Sequence, residues 1–218
     1  MPFGMRKLLI ACSPSLDAGE ATDQFTDLRR IVVDGIGGPL GTFFWRDNFA
    51  AGLNTAPLNF AGSPVIAINN VDTVQFDSSL VATAQGDVQI QADDLVQLGG
   101  NLTVVDPAGP VQGSLDIAVT GAGGQIQLLA GSTTDADGTA TLAVTGNITL
   151  AGTLNADDGI DITATGANSD IVVQDDLTTA SGGAVTLQAD DAISFSATGS
   201  ISAPGAGNVS LTANADAL

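Results

Sequence analysis

Four pairs of adjacent aspartates, Asp93-Asp94, Asp157-Asp158, Asp175-Asp176 and Asp190-Asp191, are the side chains whose type and spacing best suit them to chemistry. Two carboxylates held across a glycosidic bond can divide the work, one protonating the leaving oxygen and the other activating water. Sites of that kind also draw on basic residues and on aromatic rings that stack on sugars. Here no Lys or Arg follows Arg46, and Phe195 is the only aromatic in the second half of the chain. The pairs mostly follow a short alternating run, as in Gln91-Ala92-Asp93-Asp94 and Gln188-Ala189-Asp190-Asp191. Asp in that position bonds to nearby backbone and starts a turn, which accounts for the pairs without catalysis. No catalytic residue is assigned.

Calcium is the one cofactor the acids admit, because hard cations want several oxygens and Asp-rich turns on neighbouring strands supply them. The candidates are Asp135 and Asp137, in Asp135-Ala136-Asp137-Gly138, and Asp190 with Asp191. The first set resembles the opening of a calcium loop but lacks the later Asp/Asn and closing Glu of an EF-hand. Solvated turn acids are the plainer reading. Ser-His-Asp and Cys-His nucleophile systems are excluded outright, since the chain has no His. Asn101-Leu102-Thr103, Asn147-Ile148-Thr149 and Asn208-Val209-Ser210 match the glycosylation sequon, which an Asn turn before a β-branched strand produces unaided. Phe43-Phe44-Trp45 is the only aromatic cluster and reads as packing.

The chain's one cysteine, Cys12, cannot form an internal disulfide. Leu9-Ile10-Ala11-Cys12 after Arg6-Lys7 resembles a clipped lipoprotein signal, which makes Cys12 a lipidation candidate. Only four apolar residues precede it, against about 7–15 in a working signal. A start inside a longer reading frame is the competing reading.

Charge is divided along the 218 residues. All five basic residues lie between Arg6 and Arg46, while 24 acids bring the net charge to −19. A shaft without positive charge does not hold a phosphate backbone, so nucleic acid is excluded as a partner, and anionic membrane surfaces with it. No apolar run approaches the roughly 18–20 residues of a spanning helix. Among the acids only Glu20 is a glutamate, and Asp, Asn, Gly, Ser and Thr suit turns where Glu and Lys suit helices.

A repeat organises the rest. Alternating runs begin at Val88, Leu115, Leu142, Ile160, Val185 and Val209, at intervals of 27, 27, 18, 25 and 24 residues. Each places Val, Ile or Leu on one face and Thr, Ser, Gln or Asp on the other, with further short strands before the next run. Units of about 24 residues with three strands are too short for a sandwich domain, and Gly123-Gly124-Gln125 breaks the calcium β-roll pattern. The expected fold is all-β, a right-handed parallel β-helix (β-solenoid) with an irregular N-terminal capping region. Residues 1–30 read as a leader or poorly ordered segment, with helical potential around Ala21–Arg30. Residues 31–80 read as irregular strands forming a cap or first coils, and residues 81–218 as repeats. Six or seven coils after Asp47 make a shaft roughly 30 Å long. The corner after the first strand reads, unit by unit, Asp93-Asp94, Thr120-Gly121, Gly146-Asn147, Thr165-Gly166, Asp190-Asp191 and Asn214. The chain stops at Leu218 partway through a unit, as expected of a fragment or truncated product.

From about Val74 onward the chain resembles the repeat region of filamentous-haemagglutinin-type bacterial exoproteins. The residues that carry the likeness are Val185-Thr186-Leu187-Gln188-Ala189, Gly207-Asn208-Val209-Ser210-Leu211-Thr212-Ala213 and Gly146-Asn147-Ile148-Thr149-Leu150-Ala151-Gly152. The resemblance implies a surface or secreted adhesive protein, extracellular and associated with a bacterial outer membrane, that meets a host or neighbouring-cell surface, a glycan or a matrix protein. It also implies export through a partner barrel. No Asn-Pro pair of the family's secretion domain occurs here, and no terminal barrel follows. Two alternatives stand beside it: a carbohydrate-active β-helix enzyme using Asp pairs, and a calcium-binding surface-layer or matrix protein.

Overall fold

The computed structural model describes residues 8–12, 28–34, 40–45, 58–61, 66–78, 80–105, 113–180 and 182–214, and before residue 66 only backbone is described. Every regular element among the described residues is a strand. Period-2 alternation in Val/Ile/Leu-rich runs, punctuated by Gly, Asn and Asp, suits strands and not helices.

β1 (Leu8–Cys12) pairs antiparallel with β2 (Leu28–Asp34). From β2 onward every pairing is parallel. β3 (Leu40–Trp45) and β4 (Leu58–Ala61) follow, and then six successive turns run from Ile66 to Ser202. The first is β5 (Ile66–Phe76) with β6 (Val81–Gln85), and the second is β7 (Val88–Leu98) with β8 (Asn101–Val105). The third holds β9 (Leu115–Val119), β10 (Gln125–Leu128) and β11 (Thr133–Ala136). The fourth holds β12 (Thr139–Val144), β13 (Ile148–Leu150) and β14 (Thr153–Ala156). The fifth holds β15 (Gly159–Ala164), β16 (Ile171–Val173) and β17 (Asp176–Thr179). The sixth holds β18 (Ala184–Ala189), β19 (Ile193–Phe195) and β20 (Ser200–Ser202), after which β21 (Val209–Ala213) opens another. The chain is thus a parallel β-solenoid of about six turns.

Three strand rows run along its length. The first continues β2, β5, β7, β9, β12, β15, β18 and β21, and the second β3, β5, β7, β10, β13, β16 and β19. The third runs β4-β6-β8-β11-β14-β17-β20. β5 and β7 pass from the first row to the second without a break, so those two rows, with β1 at the edge beside β2, form one 14-stranded sheet next to a 7-stranded one.

Register makes the core. In the first row Ile68, Ile90, Ile117, Leu142, Ile162 and Leu187 lie one above another, all buried. The second row stacks Val74, Val96, Ile126, Ile148 and Ile171 in the same way. Like sits on like because each turn repeats the cross-section below it, and a bulkier residue in one turn would hold its neighbours apart. Another column of the second row runs from Trp45 and Phe76 through Leu98, Leu128, Leu150 and Val173 to Phe195.

Two expectations change. The first-row counterpart of Leu115 is Ala140, not Leu142, which pairs with Ile117. The column Ile66, Val88, Leu115, Ala140, Ile160, Val185, Val209 therefore advances by 22, 27, 25, 20, 25 and 24 residues. Leu28, Arg29 and Arg30 lie in strand β2, where tertiary pairing overrides local helical potential; Ala21–Asp27 lie outside the described residues. Parallel pairing before residue 81 falls within the expectation of first coils over residues 31–80.

One column carries a flaw. Thr134 sits fully buried between Leu102 and Leu154, and its Oγ1 has no hydrogen-bond partner. A buried hydroxyl without a partner costs about 1–3 kcal/mol. Thr134→Val keeps the branched shape and is expected to raise Tm by about 2–4 °C, the equivalent of ~1 kcal/mol in a chain of this size. Leu154→Ala, directly above, should instead cost about 2–5 kcal/mol through the cavity it opens. Thermal melts of the two variants check both signs; a Val variant melting below wild type contradicts the assignment of Thr134 to a dry column.

Candidate functional site

The corners between strand rows hold the polar chemistry, and their composition follows from the distance between turns. Successive turns lie about 4.8 Å apart. A short carboxyl or carboxamide on one turn reaches the backbone N–H of the next, while a longer Glu side chain overshoots. Asp87 Oδ1 accepts from Ser114 N at 3.0 Å, Asn101 Oδ1 from Thr133 N at 3.0 Å, and Asn147 Oδ1 from Asp170 N at 2.9 Å. Asp170 Oδ1 in turn accepts from Ala192 N at 3.1 Å. Two sequon asparagines, Asn101 and Asn147, are therefore engaged in holding register.

At the corner from the first row to the second, one backbone N–H per turn donates to the carbonyl of the turn below. Thr120 bonds Ala92 at 3.0 Å, Thr145 bonds Val119 at 3.3 Å, Thr165 bonds Val144 at 3.0 Å, Asp190 bonds Ala164 at 3.0 Å and Asn214 bonds Ala189 at 3.2 Å. This column corrects the expected one at a single level: Thr145-Gly146, rather than Gly146-Asn147, stands between Thr120-Gly121 and Thr165-Gly166. The slip has the same origin as the misplacement of Leu142. Three Thr-Gly steps consequently stack, and Thr145 Oγ1 donates to the carbonyl of Gly121. Glycine is required beside the threonines, because a Cβ at Gly146 or Gly166 would overlap backbone oxygens of the turn below.

Loop lengths vary around this column. Five residues separate β9 from β10 and six separate β15 from β16, while only three separate β12 from β13. The two longer loops flank the short one, leaving a groove of about 450 Å³ whose lining includes Thr120, Thr145, Gly146, Asn147 and Asn168. Asn168 adopts a left-handed φ of 60°, as short amide residues tolerate. No titratable group lines the groove. It offers hydroxyls, amides and backbone to a neutral polar ligand and holds no acid, base or activated nucleophile.

The paired aspartates do not converge. Asp93-Asp94 and Asp190-Asp191 lie at the first corner of turns four apart, Asp157-Asp158 at the third corner and Asp175-Asp176 at the second. Asp175 accepts from its neighbour's N–H at 2.9 Å, and Asp176 accepts from Ser200 Oγ at 2.6 Å. These are turn-closing and turn-linking bonds.

Of the calcium candidates, Asp135 lies in β11 and Asp137 at the third corner just after it, whereas Asp190 and Asp191 lie three turns further on at the first. The third corner does place acid over acid, which sequence reasoning missed. Asp137 N bonds Val104 O and Asp157 N bonds Ala136 O, both at 2.9 Å, so Asp157 follows Asp137 directly up the column. The signal was present in Ala136-Asp137-Gly138 and Ala156-Asp157-Asp158, twenty residues apart (156 − 136 = 20). It is legible only once that turn is known to be the shortest. Among the described residues no group of three or more His, Cys, Asp or Glu is arranged to hold a metal ion. Cys12 ends β1, and Phe43, Phe44 and Trp45 pair through backbone with Val74, Gln75 and Phe76.

Burial, and then the negative charges of Asp157 and Asp137, raise the Asp135 carboxyl above the usual carboxylate range. Between its ordinary and its raised pKa the folded chain binds a proton that the unfolded chain releases. Stability at this site therefore rises as pH falls through the folded pKa, and the ionised form is the costly one. Asp135→Asn is expected to melt about 1–2 °C above wild type at neutral pH, with the gap closing in acid once wild-type Asp135 is protonated. A gap of constant size at both pH values would show that the acid stack does not strain this carboxylate.

Among the described residues no helix is long and apolar enough to cross a membrane. No protein-family model matches the chain, and neither a curated protein nor a solved structure matches it.

Proposed function

We propose that the chain is a structural and adhesive β-solenoid, a stiff segment of a bacterial surface or secreted protein of the filamentous-haemagglutinin kind. The observation that carries the reading is the continuity of the ladders. Three strand rows are hydrogen-bonded turn to turn over six turns, around a single aliphatic core. Such a shaft, roughly 30 Å long at the sheet spacing, keeps its faces in fixed relation and presents them away from a cell. Its outward positions are polar but short: Gln89, Asp116, Thr141, Asp161 and Thr186 form one row of the first sheet. Stacked Gln side chains form another, Gln97 Nε2 donating to Gln127 Oε1 at 2.9 Å. These rows and the neutral Thr-Asn groove suit a glycan or a matrix protein, while the charge of −19 supports solubility and an extracellular life. Delivery through a partner barrel fits a chain whose strands pair locally, turn upon turn.

Beads coated with the purified chain should adhere saturably to cells or to immobilised glycans or matrix proteins, with free chain competing. Absence of adherence to every surface tested, together with turnover of a polysaccharide that Asp157→Asn or Asp190→Asn abolishes, would replace this reading with an enzymatic one.

A further inference from the structure

The groove on the third to fifth turns has its hydrogen-bonding capacity sorted by the fold into acceptors and donors. Its two stacked hydroxyls have spent their protons internally. Thr120 Oγ1 donates to Asp93 Oδ1 at 3.1 Å, and Thr145 Oγ1 donates to the Gly121 carbonyl. What each oxygen has left to offer is a lone pair. The amides beside them are fixed the opposite way. Asn147 Oδ1 is held by Asp170 N, which leaves the Nδ2 hydrogens to donate outward. Gln125 lies directly beneath, because Ile126 pairs with Ile148 and bonds the Asn147 carbonyl. Its Oε1 accepts from Gln127 Nε2 at 2.8 Å, and Gln127 Oε1 accepts from Gln97 Nε2 at 2.9 Å. That relay sets the amide orientations and leaves Gln125 Nε2 as a second donor. Asn147 and Gln125 are both exposed.

We propose that this groove binds an uncharged oligosaccharide through neighbouring sugar hydroxyls, which rests on the adhesive reading above and names the ligand class of its groove. A sugar hydroxyl both donates and accepts. Adjacent hydroxyls can therefore give protons to Thr120 and Thr145 and take them from Asn147 and Gln125. A carboxylate or sulfate only accepts, leaves the threonine oxygens unmatched, and is repelled by a chain of charge −19. An ammonium only donates, leaves the amides unmatched, and finds no acid in the lining. The second-row strands alongside, β10, β13 and β16, contain no charged residue, so the approach is as neutral as the groove.

An array of uncharged glucan, mannan and galactan oligosaccharides, printed beside uronate-bearing ones, tests this with the full chain. Wild type is expected to bind at least one uncharged glycan and to pass over the uronates. Asn147→Asp and Gln125→Glu each keep the oxygen that the fold uses and remove the donor. Each should weaken binding about tenfold, as one lost hydrogen bond does, with the circular dichroism unchanged. Gln188→Glu adds the same charge on a first-row strand and should bind as wild type does. Preference for uronates, binding to no glycan, unaltered binding by both donor variants, or a loss that Gln188→Glu matches would each overturn the inference. Coated beads separate it from the broader reading. Adherence that survives both donor substitutions removes the groove and leaves the adhesive shaft standing, whereas wild-type beads that adhere to nothing remove both.

Discussion

One spacing governs this molecule. Parallel strands hydrogen-bond about 4.8 Å apart, so each turn must lay its inward side chains directly onto those of the turn before. The columns Ile68 to Leu187 and Val74 to Ile171 are what that constraint leaves. It admits aliphatic residues of similar volume through the middle of the shaft, with the aromatics of the second row, Phe76 and Phe195, on its first and sixth turns. Polar intruders are few: Thr134 is one of only two described residues with a buried side-chain oxygen left unpaired, Ser169 at a corner being the other.

The same spacing decides the corners. Asp and Asn bridge one turn to the next through N–H groups that the strands leave free, and this explains why an acidic chain is rich in Asp and almost devoid of Glu. Much of the negative charge is thus a by-product of turn building. Across the one step of twenty residues the by-product becomes a local strain, with Asp137 and Asp157 stacked beside Asp135. Where turn lengths differ, the loops part and leave the neutral groove over Thr145 and Asn147.

The architecture was legible because its signal is repeated: period-2 alternation, short units and turn residues recur often enough to outweigh any single ambiguity. Register was less legible, and one residue shows why. Ala140 is inward and buried, but a small side chain at the start of a run does not announce a core position, so Leu142 drew the alignment two places forward. That slip displaced the Thr145-Gly146 step and hid the acid stack at the third corner, since both depend on a turn of twenty residues (160 − 140 = 20) rather than eighteen. The groove was not legible at all. It arises from unequal loop lengths in three successive turns, and no residue in it carries a distinctive chemistry.

The fold rests on the turns being stacked in the stated, unequal register. Methyl NOE spectroscopy of the folded chain tests that most directly. Contacts are expected between Leu142 and Ile162 and between Ile162 and Leu187, which face one another across steps of 20 and 25 residues (162 − 142 and 187 − 162). Their absence, or contacts that follow one uniform spacing or an antiparallel pattern, would contradict the solenoid described here.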